Sequence, residues 1–207
     1  MKKIFTAAIA AVLMLAGTNA FAQISVGAGW INSTMTRTVA GTKLDGEPSN
    51  GFYVGANYNI NLIGGFGVAP GLYYSLLVGK GSSTIGTYNL TTSTFTEHAL
   101  NVPIYFNYGY DLNGVKFLAF VGPTLQYALS SKYKGTILGA DATIDSFKDL
   151  DQGPFNVYIG GGLGAEIASK LQITVGFDYG LLNLYKGTLD NTSYKRYNIK
   201  IGVGYLF

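Results

Sequence analysis

The final twelve residues, RYNIKIGVGYLF, alternate without a break. Tyr197, Ile199, Ile201, Val203, Tyr205 and Phe207 fall on one parity, and Arg196, Asn198, Lys200, Gly202, Gly204 and Leu206 on the other. A side-chain period of two belongs to a β-strand and to no helix. The segment before it repeats the pattern: Leu171, Ile173, Val175, Phe177, Tyr179 and Leu181 oppose Gln172, Thr174, Gly176, Asp178 and Gly180. The same rule marks strands near residues 24–34, 52–61, 66–79, 98–110, 115–129 and 155–167, eight in all. Each has about ten residues or more, enough to cross an outer membrane at a tilt. Links near 62–65, 111–114 and 169–170 are short. Links near 35–51, 80–97, 130–154 and 186–193 are long and polar. That alternation of link lengths predicts an all-β fold, an eight-stranded antiparallel up-and-down transmembrane barrel.

Residue size decides which face points outward. With the bulky face inside, Phe, Tyr, Leu and Ile would crowd an interior that at eight strands is just wide enough for side chains. With the small-residue face inside, Gly, Ala, Ser and Asn fit the lumen and the apolar side chains meet lipid. Trp30 and the 16 tyrosines then supply interfacial girdles. This reading also settles VYIGGGLGAE, residues 157–166, whose Gly160-x-Gly162-x-x-Ala165 and later Asp178 outline a dinucleotide-binding fingerprint. Those glycines lie two apart within a strand, and no helix pattern follows, whereas a phosphate-binding glycine loop must open a helix.

Composition closes other routes. The chain has no cysteine and one histidine, His98, which argues against thiolate metal sites, histidine-built metal centres and a Ser-His-Asp centre. No later run of about 18 apolar residues offers a transmembrane helix. Residues 1–22 read as a signal peptide: basic Lys2 and Lys3, an apolar stretch, and Ala20-Phe21-Ala22 before the cut. The barrel domain is then 23–207, with both ends at the periplasmic side and no peptidoglycan-binding domain after the last strand. Removing those two lysines takes the formal charge from +3 to +1, with 12 basic against 11 acidic residues, and no nucleic-acid partner is expected. No cofactor is expected either. Asp141, Asp145, Asp149 and Asp151 are oxygen donors in one loop, but their spacing is not that of an EF-hand and Lys148 stands among them. Pro103 and Pro123 fall within strands, where each removes a ladder donor. Hairpin counting places Pro103 opposite Gly122 and predicts a shared bulge or kink.

Five charged residues take the inward parity: Lys116, Glu166, Asp178, Arg196 and Lys200. Isolated charges in a narrow lumen are costly, so they are expected in pairs. Asp178 and Lys200 each stand seven positions above the short-link end of neighbouring strands, which predicts an ion pair between them. Lys116 and Glu166, near that same end of adjacent strands, form a second candidate pair. Tyr53, Tyr73, Tyr105, Phe120 and Tyr158 share the inward face and are expected to fill the lumen, leaving no wide pore.

The strand LNVPIYFNY at 100–108, GPTLQY at 122–127, and GGGLGAE…TVGFDYGLLNL at 160–184 resemble the PorT-like or porin-family outer-membrane β-barrel domain of Gram-negative bacteria. GFYVGANYNI…FGVAPGLYYS fits that family's second and third strands. The resemblance spans essentially all of 23–207. It implies an outer-membrane location, outer-membrane lipid as surroundings, and the barrel-assembly machinery as a partner in biogenesis, reading a C-terminal aromatic signal at Phe207 and Tyr205. It implies no catalytic residues. A monomer acting through its extracellular loops on a ligand or envelope protein, in surface interaction or envelope structure, is the leading functional reading. A narrow solute channel is the second. An outer-membrane lipid hydrolase or protease is the third: some such hydrolases use a His and a Ser two residues apart, but here His98 is followed at that distance by Leu100.

Overall fold

The computed structural model describes residues 22–39, 41–85, 88–137 and 140–207. The expected signal peptide, apart from Ala22, lies outside them. Among the described residues there are ten strands: β1 Ala22–Val39, β2 Thr42–Asp45, β3 Ser49–Asn61, β4 Phe66–Ile85, β5 Tyr88–Leu112, β6 Val115–Ile137, β7 Ala140–Asp145, β8 Phe155–Ile167, β9 Leu171–Gly180 and β10 Ser193–Leu206. Eight of them form a ring in which each strand pairs antiparallel with its neighbour. The ring closes where β10 pairs β1, from Ser25 opposite Leu206 to Thr38 opposite Ser193. β2 folds back on β1, and β7 on β6, as hairpin extensions outside the ring.

The facing follows residue size. Ile173, Val175, Phe177 and Tyr179 on β9, and Ile199, Ile201, Val203 and Tyr205 on β10, are each more than 40% exposed on the outer surface, whereas Asp178, Arg196 and Asn198 are 3% exposed inside. Glycine on the inner face lets bulky partners cross the lumen. A Cβ on Gly202 would stand 2.1 Å from the Tyr53 hydroxyl, and one on Gly29 would stand 2.3 Å from the Ile201 carbonyl oxygen. The β5–β6 link is a two-residue turn, Asn113-Gly114, with φ of 52° and 86°. Positive φ at both central positions is the type I′ geometry that matches strand twist, and Asn-Gly is its preferred pair.

Two expectations are corrected. The strands run well past the interface at the long-link end. β4 and β5 stay paired to Ile85 opposite Tyr88, so most of the loop expected at 80–97 is ladder. Residues such as Thr91, Thr92, Thr94 and Thr96 favour strands, but alternation fades once neither face meets lipid. The prolines do not carry a shared bulge. Pro103 stands opposite Thr124, not Gly122, because the strands continue two residues further into the turn, to Leu112 opposite Val115. The β5–β6 ladder is interrupted between Pro103–Thr124 and Phe106–Val121, but its register is the same on both sides. The register shift lies higher, between His98 and Ala99, where Leu129 is the extra residue on β6.

Candidate functional site

The lumen is the place where chemistry-bearing side chains converge. Glu97 of β5 and Arg196 of β10 meet across it. Arg196 Nη1 donates to Glu97 Oε1, and Nη2 donates to Oε2 at 3.1 Å. Glu97 is 1% exposed and Arg196 3%, so a fork-to-fork ion pair sits almost out of water. Beside it, Tyr158 Oη donates to Gln126 Oε1 (3.0 Å), Gln126 Nε2 to Asn101 Oδ1 (2.9 Å), and Asn101 Nδ2 to Ser75 Oγ (2.9 Å). This relay links β8, β6, β5 and β4 in a belt of hydrogen bonds across the interior. Above the pair, toward the long-link end, Ile31, Leu77, Phe95, Tyr133 and Ile144 form a buried apolar cluster. Ile144 belongs to β7, so the β6–β7 hairpin contributes to the cap. Arg37 Nη2 donates to Tyr133 Oη at 3.2 Å. Burial raises the Tyr133 phenol above its ordinary range, Arg37 opposing, which keeps it neutral within the cap.

This layer separates two cavities. One, of about 140 Å³, opens toward the short-link end and is lined by Asn59, Tyr73, Tyr105, Lys116, Glu166 and Lys200 among others. The other, of about 180 Å³, opens toward the long-link end between Arg37, Glu47, Lys80, Phe95, Tyr133 and Arg196. The Glu97–Arg196 pair and the apolar cluster stand between them.

The inward charges named from sequence are distributed as follows. Lys200 Nζ lies 2.6 Å from Asp178 Oδ2 and donates to Tyr105 Oη at 2.8 Å. Asp178 stands opposite Asn198, and Lys200 opposite Gly176, so this contact is diagonal, two residues off direct opposition. Lys116 and Glu166 occupy directly opposed register positions, but no ion pair joins them. The Lys116 stem crosses Gly109, where a Cβ would stand 2.3 Å from Lys116 Cε. Arg196 is held by Glu97, a residue the sequence reading assigned to a loop end. Carrying the β5 parity one step below His98 puts Glu97 on the face of Asn101 and Tyr105, and that was the available signal. Of the expected aromatics, Tyr53 meets Tyr73 edge-on at 5.7 Å between centroids, Tyr105 packs on Phe120 at 5.0 Å, and Tyr158 is 1% exposed.

Outside the lumen, His98 Nδ1 and Tyr74 Oη share a hydrogen bond of 2.5 Å on the outer surface. Among the described residues no group of three or more potential metal ligands assembles. Within the β7 region, Asp145 Oδ1 accepts from the Phe147 N–H, and Asp149 Oδ2 from the Asp145 N–H. At the C-terminus, the Tyr205 and Phe207 rings stack edge-on at 5.0 Å, and the Phe207 N–H donates to the Ile24 carbonyl at 2.9 Å.

A family model described as outer membrane protein beta-barrel domain matches residues 17–186. No curated protein matches the sequence. Among solved structures, Ail, the attachment invasion locus protein of Yersinia pestis, superposes with a TM-score of 0.51 at 16% identity, over 89% of this chain and 98% of that one. Its complex with the heparin analogue sucrose octasulfate gives 0.50 at 18% identity, over 90% and 99%. The outer membrane enzyme PagL gives 0.50 at 9% identity, over 86% and 97%. Identity this low is a likeness of fold, and function is argued from sites.

Proposed function

Because the chain belongs to the outer membrane protein β-barrel domain family, and so resides in the outer membrane, we propose that it is a sealed anchor acting through its extracellular end. The reading is surface interaction or envelope structure, with an extracellular ligand or envelope protein as partner. The observation that supports it is a layer of side chains across the lumen: the Glu97–Arg196 pair and the Ile31, Leu77, Phe95, Tyr133, Ile144 cap lie between the two cavities. Short links face the periplasm in barrels of this kind. The hairpins β1–β2, β4–β5 and β6–β7 therefore rise on the outside, the usual setting for binding.

Planar-bilayer recording tests it. Wild-type protein should give no sustained solute-carrying conductance, while cells displaying it should retain any surface binding that is lost when residues 132–145 are replaced by a short turn. Sucrose octasulfate, the ligand in the Ail complex, is one probe for that assay. Steady conductance from the wild type would overturn the sealed-anchor reading in favour of a narrow channel, for which the two cavities are the supporting observation.

We read the protein as non-enzymatic. His98 is bonded to Tyr74 and has Leu100, not Ser, two residues on. Turnover of lipid A or a peptide by purified protein would refute this. The PorT-like affiliation within the family rests on the quoted strand motifs. The cut after Ala22 is checked by N-terminal sequencing of the membrane-inserted form. Phe207 and Tyr205 are proposed as the signal read by the barrel-assembly machinery, on the support of their exposed, edge-on aromatic rings on the outer surface.

A further inference from the structure

The outer wall of β4, β5 and β6 changes character along its height. Residues in direct register have side chains on the same side of the sheet, so the wall can be read in rows. Tyr74, Leu100 and Tyr127 form one row, and Leu76, His98 and Ser130 the next. Above them stand Val78, Thr96 and Lys132, and then Lys80, Thr94 and Lys134. Within this sheet Phe95, Tyr133 and Glu97 point inward and are buried, which fixes Lys132 and Lys134 as outward; Lys80 shares the Lys134 row by register through Thr94 and also borders the rim of the cavity at the long-link end. The lowest row is aromatic and aliphatic, the next adds Leu76 beside His98 and Ser130, and Leu129 next to them is 53% exposed. The upper rows carry three exposed lysines. Among the described residues none of Lys80, Lys132 and Lys134 forms an ion pair. On β7, Asp145 stands opposite Lys132 and Asp141 opposite Thr136. These acids bound the patch on that side, and Asp145 Oδ1 is occupied by the Phe147 N–H.

Rows two residues apart are separated by roughly 7 Å, and strands two apart by roughly 10 Å. Flexible lysine stems span those distances, so the three ammonium groups can converge on one headgroup. They stand directly above the aromatic and aliphatic rows, at the extracellular side, where the headgroups of outer-leaflet lipids lie.

We propose that Lys80, Lys132 and Lys134 form a binding surface for the phosphate groups of an outer-leaflet glycolipid whose acyl chains lie along Tyr74, Leu76, Leu100, Tyr127 and Leu129. The surface depends on the outer-membrane location and is independent of whether the lumen conducts. A basic residue near a membrane surface contributes about five-fold in affinity for anionic lipid, so three contribute on the order of 100-fold.

The test is lipid binding by native mass spectrometry, with the barrel folded in detergent. The probes are bis-phosphorylated lipid A, fully dephosphorylated lipid A and inorganic phosphate. The wild type should retain bis-phosphorylated lipid A on the order of 100-fold more tightly than the K80Q/K132Q/K134Q variant. The K80R/K132R/K134R variant and the K148Q control should match the wild type, and retention should weaken with salt. The comparison of phosphorylated with dephosphorylated lipid on unmodified protein stands even where a variant fails to fold. Equal binding of the two lipids overturns the proposal, as does an unchanged affinity in K80Q/K132Q/K134Q. Saturation of the same lysines by inorganic phosphate alone also overturns it, since the site would then be for a small anion and not a lipid.

Discussion

Removing the carboxylate of Glu97 should destabilise the barrel more than any single surface change. Arg196 reaches across the lumen to Glu97 with both terminal nitrogens, and the two residues are 3% and 1% exposed. Deleting one member of a buried ion pair leaves the other charged and desolvated, at a cost of about 3–5 kcal/mol. Glu97→Ala also opens a void beneath Phe95 and Tyr133, adding to that cost. The surviving guanidinium will draw water into the layer between the cavities of about 140 and 180 Å³. Glu97→Ala should therefore lower unfolding free energy by about 3–5 kcal/mol in urea titrations followed by heat-modifiable gel mobility, and should introduce small conductance events in planar bilayers. An apolar double replacement, Glu97→Leu with Arg196→Met, should recover most of the stability and keep the lumen closed, since well-packed apolar side chains replace a buried pair at little or no net cost. If Glu97→Ala stays within about 0.5 kcal/mol of wild type, or if the single and double variants are equally unstable, the pair is not a desolvated unit and the reasoning fails.

Three further outcomes are expected. Asp178→Ala leaves Lys200, among the described residues, with Tyr105 as its polar partner and should cost about 1–3 kcal/mol; Lys200→Met in the same background should restore part of it, read from paired urea titrations. Gly202→Ala and Gly29→Ala should each cost about 1–3 kcal/mol by overpacking. Tyr53→Leu should rescue Gly202→Ala, whose nearest clash is the Tyr53 hydroxyl, far better than Gly29→Ala, which also meets the Ile201 carbonyl; equal rescue would refute the assignment. Gly114→Val forces a β-branched residue to a φ of 86°, and should cost about 1–3 kcal/mol and slow refolding into vesicles.

The sequence by itself determined the strands that face lipid, which of their faces points outward and roughly where the short links fall, though not the exact length of the β5–β6 turn. Each of these depends on neighbours along the chain. Ile173, Val175 and Phe177 alternate with Thr174 and Gly176 because one face meets hydrocarbon and the other a narrow interior, and Asn113-Gly114 specifies its turn locally. Where that contrast ends, so does legibility. Thr94 and Thr96 stand above the lipid-facing rows, paired with Lys80 and Val78 on one side and Lys134 and Lys132 on the other, and their polar outer face carries no apolar stripe to mark the strand. Pairing across the lumen was equally hidden. Glu97 and Arg196 are 99 positions apart and lie on strands that are not neighbours in the sheet. Only ring closure, with its tilt and stagger, sets which heights face each other. Asp178 and Lys200 show the intermediate case. Adjacent strands and shared parity bring them within reach, but the diagonal contact between them depends on a register that parity does not contain. One face of a strand is a local property of its residues, whereas the partner across the barrel is a property of the closed ring.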